Sequence, residues 1–139
     1  MNRVIYASRG GNTEKLAGAI ARGAGARAVP ADQFQLSDTA DILFVGASIY
    51  AGAIDGRLRD FLKDLQPSQV GSVAVFGTAA GPKSALPEIK SILEPKGIPV
   101  LEEAFQCRGS FLVANRGRPN DEDLKRAEAF ARKLCGGQS

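Results

Sequence analysis

The chain contains no histidine and no tryptophan, and only one methionine and two cysteines among its 139 residues. Without histidine, the commonest general base and the commonest metal ligand are both missing. Cys107 and Cys135 lie far apart and form no ligand spacing with the acidic residues, so neither a metal site nor a catalytic side-chain constellation is expected. Any reactivity is therefore assigned to a bound cofactor. No apolar run reaches the roughly 20 residues that span a bilayer. The first strand-like run begins at Arg3, so no signal peptide is expected. Two widely spaced cysteines fit reduced thiols, and the expectation is a cytoplasmic protein with no membrane span. Basic tracts are also lacking. The formal charge is +3, but Lys and Arg are interleaved with acids, which excludes a nucleic-acid arm. One bias remains: up to Arg27, five basic residues stand against Glu14 alone. That is either ordinary surface charge or a field suited to an anionic cofactor or an acidic partner.

What the chain does have is glycine at turns. Ser8-Arg9-Gly10-Gly11-Asn12-Thr13 follows the apolar run from Arg3 to Ala7 and precedes a helix-patterned segment. Hydroxyls, an amide and two glycines at a strand-to-helix turn are what backbone cradling of a phosphate requires. The stretch reads as the phosphate grip of a bound cofactor, with Arg9 either adding charge to it or simply solvated.

The rest of the chain alternates. Leu16, Ala17, Ile20 and Ala24 share one helical face, and Gly23 and Gly25 end that helix. Arg27 to Val29 is a short second strand with Pro30 beyond it. Residues 31–40 are too few and too polar for more than a turn or a single helical turn. Asp41 to Gly46 reads as a third strand running into the small-residue loop Ala47–Gly52. Leu58, Phe61, Leu62 and Leu65 are spaced as a helix. Ser72 to Phe76 is the fourth strand, ending in the loop from Gly77 to Pro82. A helix carries Leu86, Ile89, Ile92 and Leu93, with Pro87 in its first turn. Ile98 begins a fifth extended segment, allowed to continue with a bend to Val113. Asn120 caps a last helix that turns Leu124, Ala127, Phe130, Ala131 and Leu134 inward. This is an α/β chain, a doubly wound parallel sheet of five strands with helices on both faces, expected as one domain over residues 1–139. In such sheets ligands bind at the carboxyl ends of the strands, where strands one and three part.

Several chemistries of that architecture are excluded by the turns. G-x-x-x-x-G-K-[ST] is absent, as is G-x-G-x-x-G at the first turn. Ala47 and Ser48 stand where a phosphoacceptor aspartate would end strand three, and the first turn holds no nucleophilic cysteine. Phosphate binding by hydroxyls and amides remains.

On these residues the chain resembles short-chain flavodoxins and other flavodoxin-like proteins, whose first loop reads Ser/Thr-x-Thr-Gly-Asn-Thr. Ser8, Gly11, Asn12 and Thr13 match it, and Gly10 replaces the middle threonine. Phe44 to Gly52 is similar to the loop after strand three in the flavodoxin-like domain of protoporphyrinogen oxidases. Phe105 to Gly109 and Gly117 to Leu124 resemble the C-terminal part of short flavodoxin-like proteins. The resemblance implies the strand order 2-1-3-4-5 and FMN as cofactor. It implies that Ser8, Thr13 and the amides of Arg9, Gly10, Gly11 and Asn12 hold the phosphate. Tyr50 then stacks on the isoalloxazine ring, as an aromatic side chain can, or is otherwise a packing residue. Ser48, Ile49, Ala51 and Gly52 contact the ring through the main chain, with Ala51 where flavodoxins usually place the glycine after the stacker. Thr78, Ala79, Ala80 and Gly81 reach the pyrimidine edge, or else form a tight turn. Cys107 reads as a small buried hydrophobe, and Arg116 and Arg118 as solvated. The function implied is an electron carrier between redox partner proteins, a donor and an acceptor. The alternative is an FMN-dependent oxidoreductase acting on a quinone, a porphyrinogen or another planar substrate. With the basic balance of the chain, Arg57, Arg59 and Lys83 near the flavin loops imply a less negative second-electron potential than a typical flavodoxin shows.

Overall fold

Alternation of apolar side chains along the strands decides both faces of the sheet. The computed structural model describes residues 1–7, 11–35, 38–50, 53–79, 84–108 and 119–136, with the backbone alone for Tyr50, Ala79 and Arg108. In chain order the elements are β1 (Arg3–Tyr6), α1 (Asn12–Ala24), β2 (Ala28–Pro30), β3 (Ala40–Tyr50), β4 (Ala53–Ile54), α2 (Gly56–Asp64), β5 (Val70–Ala79), α3 (Leu86–Leu93), β6 (Val100–Arg108) and α4 (Asp121–Gly136). Single 3-10 turns lie at Ala31–Gln33, Pro67–Gln69 and Glu94–Lys96. The parallel strands run in the order β2-β1-β3-β5-β6, and β4 pairs antiparallel with the end of β3. Setting β4 aside, this is the expected 2-1-3-4-5 order.

Odd-numbered residues of the two central strands (Leu43, Val45 and Ala47 on β3, Val73 and Val75 on β5) pack with Leu58 and Leu62 of α2 and with Ile89 and Leu93 of α3. Even-numbered ones, Ile42, Phe44, Ala74 and Phe76, pack with Leu16 and Ile20 of α1 and with Ala127 and Ala131 of α4. Phe130 locks α4 onto the sheet, edge-on to Phe44 at 6.5 Å and tilted against Phe105 at 5.8 Å. A buried Leu, Ile or Phe at any of these positions contributes about 1.5–3 kcal/mol relative to exposure.

Two expectations are refined and one is met. The third and fourth strands are longer than their apolar runs, because parallel pairing of β3 with β5 continues from Gly46↔Phe76 through Ser48↔Thr78. Tertiary pairing here outweighs the low strand preference of Gly and Ala. The second helix is reduced to the turn Ala31–Gln33, as the short polar connection required. Gly23 lies inside α1 rather than ending it, and Gly25, at φ 65°, is the C-cap. A Cβ on Gly23 would stand 2.1 Å from the Glu128 carbonyl oxygen, so this glycine is where α1 and α4 touch. β6 ends at Arg108, and residues 109–118 lie outside the described ones.

α4 starts with a reciprocal cap. The Asn120 side-chain oxygen accepts from the Asp123 N–H at 2.9 Å, and the Asp123 carboxylate accepts from the Asn120 N–H at 2.9 Å. Further along, Glu128 accepts from Arg132 at 2.6 Å and from Arg22 of α1 at 3.2 Å. These bonds, with Arg132 the stronger, hold its carboxyl below the usual range. A depressed folded-state pKa means the contribution is present above the unfolded value and lost as pH falls through the folded one. Glu128→Gln is accordingly expected to flatten the acid limb of stability below about pH 4.5, measured as melting temperature against pH. An unchanged limb would remove Glu128 from that role.

Candidate functional site

The even-numbered stripe of the sheet changes character at its carboxyl end. After Ile42 and Phe44 on β3 comes Ser48, and after Ala74 and Phe76 on β5 comes Thr78, both 4% exposed. Above them lies the first turn of α1, where Thr13 is completely buried. Thr13 Oγ1 is hydrogen-bonded to Ser48 Oγ and, at 2.9 Å, to Thr78 Oγ1. The start of α1 and the ends of two strands, far apart in sequence, thus meet in one buried hydroxyl cluster. It sits where β1 is flanked by β2 on one side and β3 on the other, which is the switch point of this sheet.

The residue before α1 is Gly11, whose φ of 82° is left-handed and favours glycine; it offers no side chain to cap the helix. The start of α1 therefore presents main chain, not a capping side chain, to whatever lies at the first turn. Ser8, Arg9 and Gly10 lie outside the described residues, as do Ala51, Gly52, Ala80 and Gly81. Of the expected site residues, Gly11, Asn12 and Thr13 fall at the start of α1, and Ser48, Ile49 and Tyr50 at the end of β3. Thr78 and Ala79 fall at the end of β5.

Two of these positions differ from expectation. Ser48 to Tyr50 belongs to a strand, which turns back as a hairpin with Ile49 opposite Ile54 and Tyr50 opposite Ala53. Thr78 is likewise in a strand, and its hydroxyl turns inward to Thr13 rather than outward, because even-numbered residues of β5 face α1. The sequence signal for both was the period of two carried through from Ile42 and Ala74.

The hairpin is braced from below by Glu88 in the first turn of α3. Its carboxylate accepts from the Ile54 N–H at 3.0 Å and from Arg59 at 2.8 and 3.1 Å. Arg57, for its part, bonds the buried Asp55, the cap of α2, at 3.1 Å. The two arginines expected to lend free positive charge are thus each committed to a carboxylate. Lys83, the third cation expected there, lies outside the described residues. Glu88→Ala is expected to lower stability by about 1–3 kcal/mol, since it leaves the Ile54 amide and Arg59 without this partner. Urea melts check the loss, and faster amide exchange at Ile54 would localise it to the hairpin.

A cavity of about 550 Å³ opens on the other side of β1, between the short β2–β3 connection and α2. Pro30, Phe34, Phe61 and Leu65 line it, but so do Glu14, Asp32, Asp60 and Asp64. Burial first, and then the Glu14 carboxylate, push the Tyr6 phenol at its edge above the ordinary range. Four carboxylates against the one lining cation, Arg57, make this a poor place for a phosphate, and the hydroxyl cluster a better one. Both cysteines fit packing: Cys107 is buried in the core, and Cys135 accepts from the Asn2 amide at 3.0 Å, with burial raising its thiol pKa. Among the described residues no group of His, Cys, Asp and Glu could hold a metal. No described helix is long and apolar enough to cross a membrane.

The family model for the flavodoxin domain matches residues 3–109, which include all of this site. The chain belongs to the flavodoxin domain family. It is 29% identical over 136 residues to an uncharacterized protein of Methanocaldococcus jannaschii, covering 88% of this chain and 89% of that one. A flavodoxin from the domain Archaea superposes with a TM-score of 0.82 at 18% identity, over 98% of this chain and 96% of its own. The rubredoxin oxygen:oxidoreductase of Desulfovibrio gigas gives a TM-score of 0.73 at 17% identity, over 98% of this chain but 35% of its own. At such identities the structural matches show the shared fold.

Proposed function

We propose that this flavodoxin-family chain binds FMN and carries electrons between redox partner proteins, one a donor and the other an acceptor. The observation that supports this most is the buried cluster of Thr13, Ser48 and Thr78 at the switch point, under a helix that starts on a positive-φ glycine. That donor set fits a phosphate monoester: it consists of hydroxyls and main chain, and none of the three clustered side chains is anionic. In this reading the turn from Ser8 to Thr13 holds the phosphate. The hairpin strands β3 and β4 carry Tyr50 to one side of the ring, and the stretch of chain from Thr78 to Gly81 borders the other. Bound FMN supplies one- and two-electron redox chemistry. The protein orients the ring and sets the polarity around it, and Glu88 keeps the hairpin at a fixed height above α3. The Desulfovibrio gigas protein, whose name joins rubredoxin and oxygen, contains the same fold within a longer chain, which supports redox proteins as partners of such domains.

The test is titration of the apoprotein with FMN, followed by visible spectra during stepwise reduction. Tight binding and two separable one-electron stages are expected. Colourless protein that FMN neither binds nor protects against heat would sink the reading. Turnover of a quinone or porphyrinogen without any partner protein would replace the carrier with an oxidoreductase.

A further inference from the structure

We propose that the cavity beside α2 is a docking groove for a helix of a partner protein, one that presents a strip of apolar side chains flanked by lysines or arginines a turn apart. The inference stands apart from the FMN reading, and its test needs no flavin.

The groove exists because the fold omits a helix. α1 joins β1 to β2, α2 lies between β3 and β5, and α3 between β5 and β6. The passage from β2 to β3 has only the turn Ala31–Gln33. That passage crosses the sheet in the same direction as β3 to β5, so a right-handed connection puts it on the α2 face. Beside α2, over β1 and β2, the place of one helix is therefore open. The cavity of about 550 Å³ lies there, with Ala7, Pro30 and Ala31 at the strand ends lining it.

α2 forms the long wall. Arg57, Asp60, Phe61, Asp64 and Leu65 all line the cavity, at i, i+3, i+4, i+7 and i+8. The groove thus follows α2 for about 12 Å, two turns of a helix laid alongside it. Its interior is apolar. Half-buried Phe34 stands edge-on to half-buried Phe61 at 5.8 Å, with Leu65 and Pro30 beside them. Apolar side chains of a visiting helix would cover these surfaces, as in other helix-in-groove contacts.

Charge specifies the flanks of that helix. Asp32, Asp60 and Asp64 are exposed, and among the described residues no hydrogen bond or ion pair reaches their carboxylates. The lining cation, Arg57, is bonded to Asp55 at 3.1 Å. A chain of formal charge +3 therefore carries an acidic groove. Asp60 and Asp64 stand one turn apart on α2, roughly 6 Å, which is the spacing of Lys or Arg at i and i+4 on a facing helix. An acidic helix would be repelled, and a basic one is steered in.

The probe is a labelled synthetic helical peptide of about 12 residues, with leucines along one face and lysines at i and i+4 beside them. One twin has glutamate for every lysine, and another has serine for every leucine. Fluorescence anisotropy with the purified full chain is expected to show one lysine peptide bound per chain and neither twin bound comparably. Asp60→Asn with Asp64→Asn is expected to weaken it roughly three- to tenfold, while Glu102→Gln with Glu103→Gln on β6, at the opposite edge, changes it less than about twofold. Amide shifts are expected on α2 and Ala31–Phe34. No binding of the lysine peptide would overturn the proposal, as would equal binding by either twin, equal loss in both double variants or shifts elsewhere. Displacement by spermine at matching concentration would give the groove to a small polycation, and a dimer that the peptide does not dissociate would give it to a second copy. Either result overturns the proposal. The three peptides keep the comparison whole if an asparagine variant does not fold.

Discussion

Thr13→Val is expected to cost about 2–4 kcal/mol of stability and to weaken FMN binding by more than about tenfold. Valine has the shape of threonine, so the loss is chemical. Thr13 Oγ1 is the middle of the cluster, and removing it leaves Ser48 and Thr78 as buried hydroxyls without this partner, at about 1–3 kcal/mol each. Domains of this size are stable by about 5–15 kcal/mol, so the change is a large share of the whole. Thr13→Ser is expected to keep most of both properties. Urea denaturation of the apoprotein gives the first quantity and FMN titration the second. A valine variant as stable as wild type would show that the cluster does not hold the strand ends together.

Gly77→Ala is expected to be as damaging, for a steric reason. The added Cβ would lie 2.3 Å from the Ala47 carbonyl oxygen and 3.3 Å from its carbon, both main-chain atoms of β3. No rotamer relieves that contact. The two strands must separate at Ala47↔Gly77, one pair before Ser48↔Thr78. Overpacking ordinarily costs about 1–3 kcal/mol, and a backbone clash inside a sheet belongs at or above the top of that range. The control is Gly56→Ala at the start of α2, where an added Cβ meets nothing within 4 Å. There the same change is expected to be neutral or to stabilise by about 0.4–1 kcal/mol through the unfolded chain. Thermal melts of the two variants side by side decide it. Similar melting temperatures would mean that β3 and β5 are not held at this spacing.

Much of the fold was legible because its signals are local. Leu58, Phe61, Leu62 and Leu65 mark a helical stripe, Asn120 marks a cap, and apolar runs separated by glycine turns mark buried strands. The short polar connection after β2 could be read as lacking a helix because ten residues cannot hold one and still return to the sheet. The site was legible in part. Glycines and hydroxyls at the first turn pointed to Thr13, order alone pointed to the end of β3, and the flavodoxin resemblance pointed to the end of β5. What local pattern did not show is direction across space. That Thr78 bonds Thr13 follows from the alternation of β5 together with the placement of α1, and only the assembled sheet brings them to 2.9 Å. Gly23 and Gly77 read as a helix end and a loop, yet both are contacts between main chains, which no neighbouring residue in sequence announces. Arg57 and Arg59 read as free charge because their partners, Asp55 and Glu88, are chosen by capping and by the packing of α2 on α3.

The separations along the chain within the hydroxyl cluster, 35 residues from Thr13 to Ser48 and 65 from Thr13 to Thr78, tie loading of the cofactor to the history of folding. A chain that has closed α1 onto β1 and β3 but has not yet added β5 holds an incomplete cluster. Contacts of such range form slowly, since loop closure comes before the bonds that reward it. If the proposed FMN reading holds, flavin capture would report that the sheet has been assembled through its fourth parallel strand, and colour returning during refolding would time that step.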